Sequence, residues 1–140
     1  VGNDQGNYPY IDEALAIYSE VLFIERYYPE YRDWWWEFRV SLYQPVGYVD
    51  ANVYEFNSLR SYINAVYLRG ALMMEDLRRS LGNEVFLGWL HEYASVMRGQ
   101  LATPADFWSV LPPDSYSATA DIRQNYFRRA NVLTRPGEIP

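Results

Sequence analysis

Two side chains are of types that could do chemistry: Glu13, in Tyr-Ile-Asp-Glu-Ala-Leu-Ala, and Tyr67, in Ala-Val-Tyr-Leu-Arg-Gly-Ala. Glu13 lies at the start of an apolar helical run. Its neighbours one turn on are Ala16 and Ile17, with Glu20 a further turn along. A carboxylate in such company has two readings. With Asp12 it favours the positive end of a helix, or it takes a cation, a hydrogen-bond donor or a metal as partner. Tyr67 also has two readings. By periodicity it is a core aromatic; as a phenol beside the small Gly70 and Ala71 it can donate to a developing oxyanion. His91-Glu92 opens like the zinc motif H-E-x-x-H, in which two histidines one turn apart face one metal. Ser95 occupies the position of the second histidine, so His91 reads as an ordinary histidine.

Composition narrows the chemistry further. The chain has 140 residues, 18 acidic and 12 basic side chains and a net charge of −6. Every basic side chain is arginine. This acidic balance opposes broad binding to nucleic acid, which needs a basic face. With no cysteine and a single histidine, disulfides, thiolate metal sites and a multi-histidine zinc site made by this chain alone are excluded. No apolar run approaches the ~20 residues of a membrane-spanning helix. No signal peptide is read, and the opening at Val1 reads as the edge of something longer. Hydrophobic residues make up 49% of the chain and aromatics 18%, enough for a packed core.

The elements that must position these residues are helices. Apolar residues from Ile11 to Leu22 recur at three and four, which predicts a helix from Tyr10 that Pro29 stops. A second helix is expected over Glu30–Tyr43, ended by Pro45. Its Trp34-Trp35-Trp36 run has no single-face spacing, so at least one indole must point away from the local core. Residues 45–56 read as a connection. The longest helix is expected over Ser58–Leu81, closed by Gly82, and Asn83 is expected to cap a helix over Glu84–Arg98. Thr103-Pro104-Ala105-Asp106 is a helix start. A last helix is placed at 119–131, and the tail from Arg135 to Pro140 reads as irregular. Arg78-Arg79 and Arg128-Arg129 read as solvated or salt-bridged pairs. No strand pair with hairpin chemistry is found, and the class is all-α: a single helical domain, 1–140.

Three stretches resemble the zinc aminopeptidases of the aminopeptidase N type (gluzincins, peptidase family M-one). Tyr10-Ile11-Asp12-Glu13-Ala14-Leu15-Ala16-Ile17-Tyr18 is similar to the family segment whose Glu is the third zinc ligand. Tyr67-Leu68-Arg69-Gly70-Ala71 is similar to the family's Tyr-Glu-Lys-Gly-Ala. Leu81-Gly82-Asn83-Glu84-Val85-Phe86, Tyr93 and Ala102-Thr103-Pro104-Ala105-Asp106-Phe107 follow its later landmarks in order. The resemblance covers about residues 1–111. It departs from the family at Ala14 (usually Gly), Tyr10 (usually Trp) and Leu68-Arg69 (usually Glu-Lys). Residues 112–140 match no landmark.

The resemblance implies that Glu13 is a zinc ligand and that Tyr67 stabilises the tetrahedral intermediate of peptide hydrolysis. It also implies the helical lobe of a thermolysin-like catalytic domain, with both zinc histidines and the general-base glutamate just upstream of Val1. The partners it implies are a peptide substrate and the rest of the catalytic domain. Zinc belongs to the intact protein. The isolated chain is expected to be inactive and to hold no tight zinc, because one carboxylate cannot supply three ligands. A rival reading from another class is a non-enzymatic helical module that binds partners through the aromatic surface around Trp34–Trp36. A third is a family member that has lost its metal ligands.

Overall fold

The first helix sets the frame. In the computed structural model, which describes residues 1–133, α1 spans Tyr10–Tyr27 and buries Tyr10, Ile11, Ala14, Ile17, Tyr18 and Val21. This is the stripe its three-and-four spacing predicts. Asp12 and Glu13 lie in its first turn, where the helix dipole favours negative charge. After α1 come a 3₁₀ turn (Pro29–Tyr31), a short α2 (Arg32–Trp35), a π-turn (Trp36–Val40) and a second 3₁₀ turn (Ser41–Tyr43). The single helix expected over Glu30–Tyr43 is therefore broken into four pieces. The cause lies in the buried residues. Trp35 and Val40 are both in the core. An α-helix turns ~100° per residue and would set residues five apart ~140° from each other. The i→i+5 closure of a π-turn brings them to one side. Trp34 points outward, as the run of three required, and is 57% exposed.

The connection contains a 3₁₀ turn at Val53–Glu55, closed by a capping box between Asn52 and Glu55. Ser58 then caps α3 (Leu59–Tyr62), accepting from the Ser61 backbone N–H. The chain passes through a second π-turn (Ile63–Leu68) into α4 (Arg69–Leu81). α1 packs along this π-turn and α4. The approach is close: a methyl group built on Gly70 would lie 2.7 Å from the Ala14 Cβ. Gly82 ends α4 at φ +78°, a conformation only glycine adopts at little cost. α5 (Asn83–Val96) begins at Asn83, one residue earlier than expected, so Asn83 is its first helical residue and not its cap. Its side chain instead accepts from Arg78 Nε.

Thr103 and Asp106 form the expected capping box of α6 (Pro104–Ser109). The helix expected at 119–131 is α8 (Ala120–Tyr126), which ends earlier than expected, and an unexpected short helix, α7 (Pro113–Ala118), precedes it. The tail from residue 135 to 140 lies outside the described residues. One feature departs from pure helix. β1 (Gly2–Asn3) pairs in parallel with β2 (Leu101–Ala102), a two-residue contact that ties the chain start to the segment after α5. The fold is otherwise all-α. Among the described residues no helix is long and apolar enough to cross a membrane.

Two interior networks hold the helices together. The first is aromatic: Tyr10, Trp89, Phe107, Trp108 and Phe127 meet at centroid distances of 4.5–6.5 Å. Its polar edges are satisfied, since Trp89 Nε1 donates to the Phe107 carbonyl (2.9 Å) and Trp108 Nε1 to the Tyr10 hydroxyl (3.1 Å). The second is ionic. Buried Glu75 accepts from the Tyr18 hydroxyl (2.7 Å), Arg32 (2.9 Å) and Arg79 (3.0 Å). Glu25 accepts from Arg32 (2.8 Å) and Arg78 (2.7 Å). The Arg78-Arg79 pair is thus salt-bridged, and so is Arg128, to Glu55.

Candidate functional site

Glu13 comes from the first turn of α1, and its backbone N–H is anchored on the Pro9 carbonyl at 2.9 Å. Its side chain is half-buried. Across from it runs the π-turn that links α3 to α4. Tyr62, the last residue of α3, donates its hydroxyl to Glu13 Oε1 at 3.3 Å. Tyr67, inside the π-turn, sets its ring edge-on to Tyr62, with centroids 5.5 Å apart and planes at 85°. The Tyr62 ring also meets Phe56 edge to face, with centroids 5.5 Å apart.

The spacing explains why both phenols reach one carboxylate. Tyr62 and Tyr67 are five residues apart, and a regular α-helix would turn them ~140° from each other. The i→i+5 closure over Ile63–Leu68 lays them side by side. The small residues after Tyr67 have their own task. Gly70 lets Ala14 close in, and this contact brings the first turn of α1 up to the π-turn.

The electrostatics follow from the crowding. Burial, then the Glu13 carboxylate, pushes the Tyr62 hydroxyl up to about 12. Burial raises the Tyr67 hydroxyl well above the ordinary tyrosine value, and Glu13 and Tyr62 raise it further. Both phenols therefore keep their protons at neutral pH and remain donors. Asp12, next to Glu13 in sequence, does not join the cluster; Gln5 Nε2 donates to it at 2.5 Å.

The arrangement is a carboxylate flanked by two protonated phenols at a partly open surface. Glu13 has one oxygen held by Tyr62 and can offer lone pairs to a cation, so its donor chemistry fits one ligand position of a zinc site. Among the described residues no group of three His, Cys, Asp or Glu side chains is placed to hold a metal. The remaining ligands of such a site would come from elsewhere. His91 lies exposed on α5.

The two residues singled out in the sequence, Glu13 and Tyr67, meet in space. Tyr62 was missed. Its only signal is a distance of five from Tyr67, which has no meaning until the π-turn is known. Away from this cluster, Ser19, Glu20, Phe23, Ile24 and Trp35 line an open groove, and the exposed rings of Trp34 and Phe38 meet with centroids 5.7 Å apart. No protein-family model, no curated protein and no solved structure matches this chain.

Proposed function

We propose that the chain is the C-terminal helical lobe of a thermolysin-like zinc peptidase of the aminopeptidase N type, which hydrolyses peptide bonds once joined to an upstream segment bearing two histidines and a glutamate base. The observation that carries this reading is the meeting of Glu13 and Tyr67 at one half-buried spot, the two positions that the family resemblance singles out independently. The close contact of Ala14 with Gly70 supports it, because the same two motifs supply both residues of that contact.

In this reading Glu13 is the carboxylate ligand, and the first turn of α1 fixes its direction. Zinc, when bound, supplies a Lewis acid and a water of lowered pKa. Tyr67 donates a hydrogen bond to the oxygen of the scissile carbonyl as negative charge builds on it. That interaction is stronger in the transition state than in the ground state, and so it accelerates the reaction. Tyr67 keeps its proton at neutral pH, as an ordinary phenol does, and so is available as the donor.

The first test is the sequence of the ~20 residues before Val1, in which the reading requires H-E-x-x-H. Its absence would falsify the peptidase assignment. In the protein that includes this segment, Tyr67→Phe should retain zinc and lose ~10²–10³ in kcat, while Glu13→Ala should lose zinc occupancy. An unchanged kcat in Tyr67→Phe removes Tyr67 from the chemistry. The 140-residue chain alone should carry no stoichiometric zinc.

A second reading rests on the exposed aromatics Phe23, Tyr27, Trp34 and Phe38, each more than half exposed. Phe23 meets Tyr27 and Trp34 meets Phe38, and exposed apolar clusters are the surfaces that partners cover. On this reading the chain is a non-enzymatic interaction module. The same upstream sequence discriminates the two.

A further inference from the structure

We propose that the exposed side of α2 and of the π-turn after it docks a basic amphipathic helix of another protein, with Trp34 and Phe38 taking its apolar face and Asp33 and Glu37 its arginines or lysines. The inference deepens the second reading above by naming the partner, and it does not depend on the peptidase reading.

Spacing builds two stripes side by side. Trp34 and Phe38 are four apart, and their rings meet with centroids 5.7 Å apart. Asp33 and Glu37 are also four apart, one position earlier, so they run beside the aromatic pair. All four side chains are exposed. Glu30, in the 3₁₀ turn just before α2, is exposed too and adds a third acid.

The charges of this segment are segregated. Arg32 turns to Glu25 on α1 (2.8 Å) and to Glu75 on α4 (2.9 Å), and Arg39 turns to Glu20 on α1 (3.5 Å). The arginines thus face the rest of the molecule, and the acids are left outside. Glu30 and Glu37 join no ion pair among the described residues. Asp33, whose carboxylate is fully exposed, reaches only Arg32 Nη1, at 3.8 Å. Like charges one turn apart oppose the helix that carries them, and a cationic partner would relieve that opposition. A basic amphipathic helix matches both stripes: its apolar residues meet the rings, and its cations meet carboxylates and the indole face.

Charge also opposes the other occupants. A second copy docked through the same face would set Asp33 and Glu37 near their own counterparts, between chains that each carry −6. An anionic lipid surface and nucleic acid are repelled by the same acids.

The experiment uses the 140-residue chain and a fluorescein-labelled synthetic peptide of about 18 residues, long enough to hold a helix. One face of the peptide is leucine and the other arginine and lysine. Fluorescence anisotropy reads Kd at low salt and at ~0.3 M salt. The chain should bind this peptide, and less tightly at the higher salt. Trp34→Ala should weaken binding by about tenfold or more. Asp33→Asn with Glu37→Gln should weaken it by about 3–10-fold at low salt. Glu84→Gln with Glu92→Gln, two exposed acids on α5, is the control and should leave Kd unchanged. No binding of the peptide overturns the proposal. So does an equal loss in the α5 control, which would show only the pull of an acidic chain on any cation. Equal binding of a peptide with glutamates in place of its cations overturns the basic partner and leaves the aromatic interaction module standing. Self-association that Trp34→Ala abolishes assigns the face to a second copy, and binding to anionic lipid vesicles that Trp34→Ala abolishes assigns it to a membrane; either result overturns the proposal.

Discussion

At the scale of single residues, the best-defined electrostatic feature is Glu25. Burial by itself raises its carboxyl pKa, but the guanidiniums of Arg32 and Arg78 outweigh burial and hold it below the ordinary glutamate value. A group whose pKa is depressed by folding stabilises the protein fully above its unfolded value, here 4.5. That stabilisation is lost as pH falls through the folded value. Stability should therefore fall on acidification below about pH 4.5, and Glu25→Gln should flatten that acid limb. Urea midpoints collected across the acid range check this; an acid limb unchanged in Glu25→Gln assigns it to other carboxylates. Legibility at this scale was uneven. Glu13 and Tyr67 could be singled out from local motifs. Glu75 could not, because its partners Tyr18, Arg32 and Arg79 come from separate elements and only the fold unites them.

At the scale of elements, the contact between α1 and α4 decides whether Glu13 and Tyr67 meet. A Cβ on Gly70 would stand 2.7 Å from the Ala14 Cβ, a fixed atom that cannot swing aside. Overpacking of this kind costs about 1–3 kcal/mol, set against the ~1 kcal/mol that a helix gains when alanine replaces glycine. Gly70→Ala should be net destabilising, with a lowered urea midpoint. The paired variant Ala14→Gly with Gly70→Ala moves the methyl to the other helix and should recover much of the loss. A Gly70→Ala protein as stable as wild type would mean that the helices part at no cost. The elements were legible wherever one period ran unbroken, as in α1, and wherever a cap was spelled out, as in Thr103-Pro104-Ala105-Asp106. They were not legible at the two π-turns. Trp35 with Val40 and Tyr62 with Tyr67 are pairs five apart, a spacing that matches neither the helical nor the strand period. Tertiary packing creates those turns, and local propensity carries no mark of them.

At the scale of the whole molecule, the chain start is locked to late segments. β1 pairs with β2, and the Tyr10 hydroxyl accepts from Trp108 in the aromatic interior. Tyr10→Phe would leave the buried Trp108 N–H without its acceptor, at a cost of about 1–3 kcal/mol. Because α1 and α6 share one core, this loss should appear equally in tryptophan fluorescence and in helical circular dichroism, as a single shifted transition. Two separated transitions would show that the early and late helices unfold independently. The all-α class was legible from composition and periodicity. The short parallel pair was not, since two residues carry no alternation to read.

The Tyr10–Trp108 bond joins positions 98 apart in the chain, and this has a consequence for biosynthesis. At ~5–20 residues per second, Trp108 leaves the ribosome about 5–20 s after Tyr10. During that interval the helix bearing Glu13 has emerged but lacks the aromatic floor on which it rests. A synonymous-codon pause before Phe107 would lengthen the period in which Tyr10, Ile11 and Ile17 are uncovered, and with it the demand on chaperones.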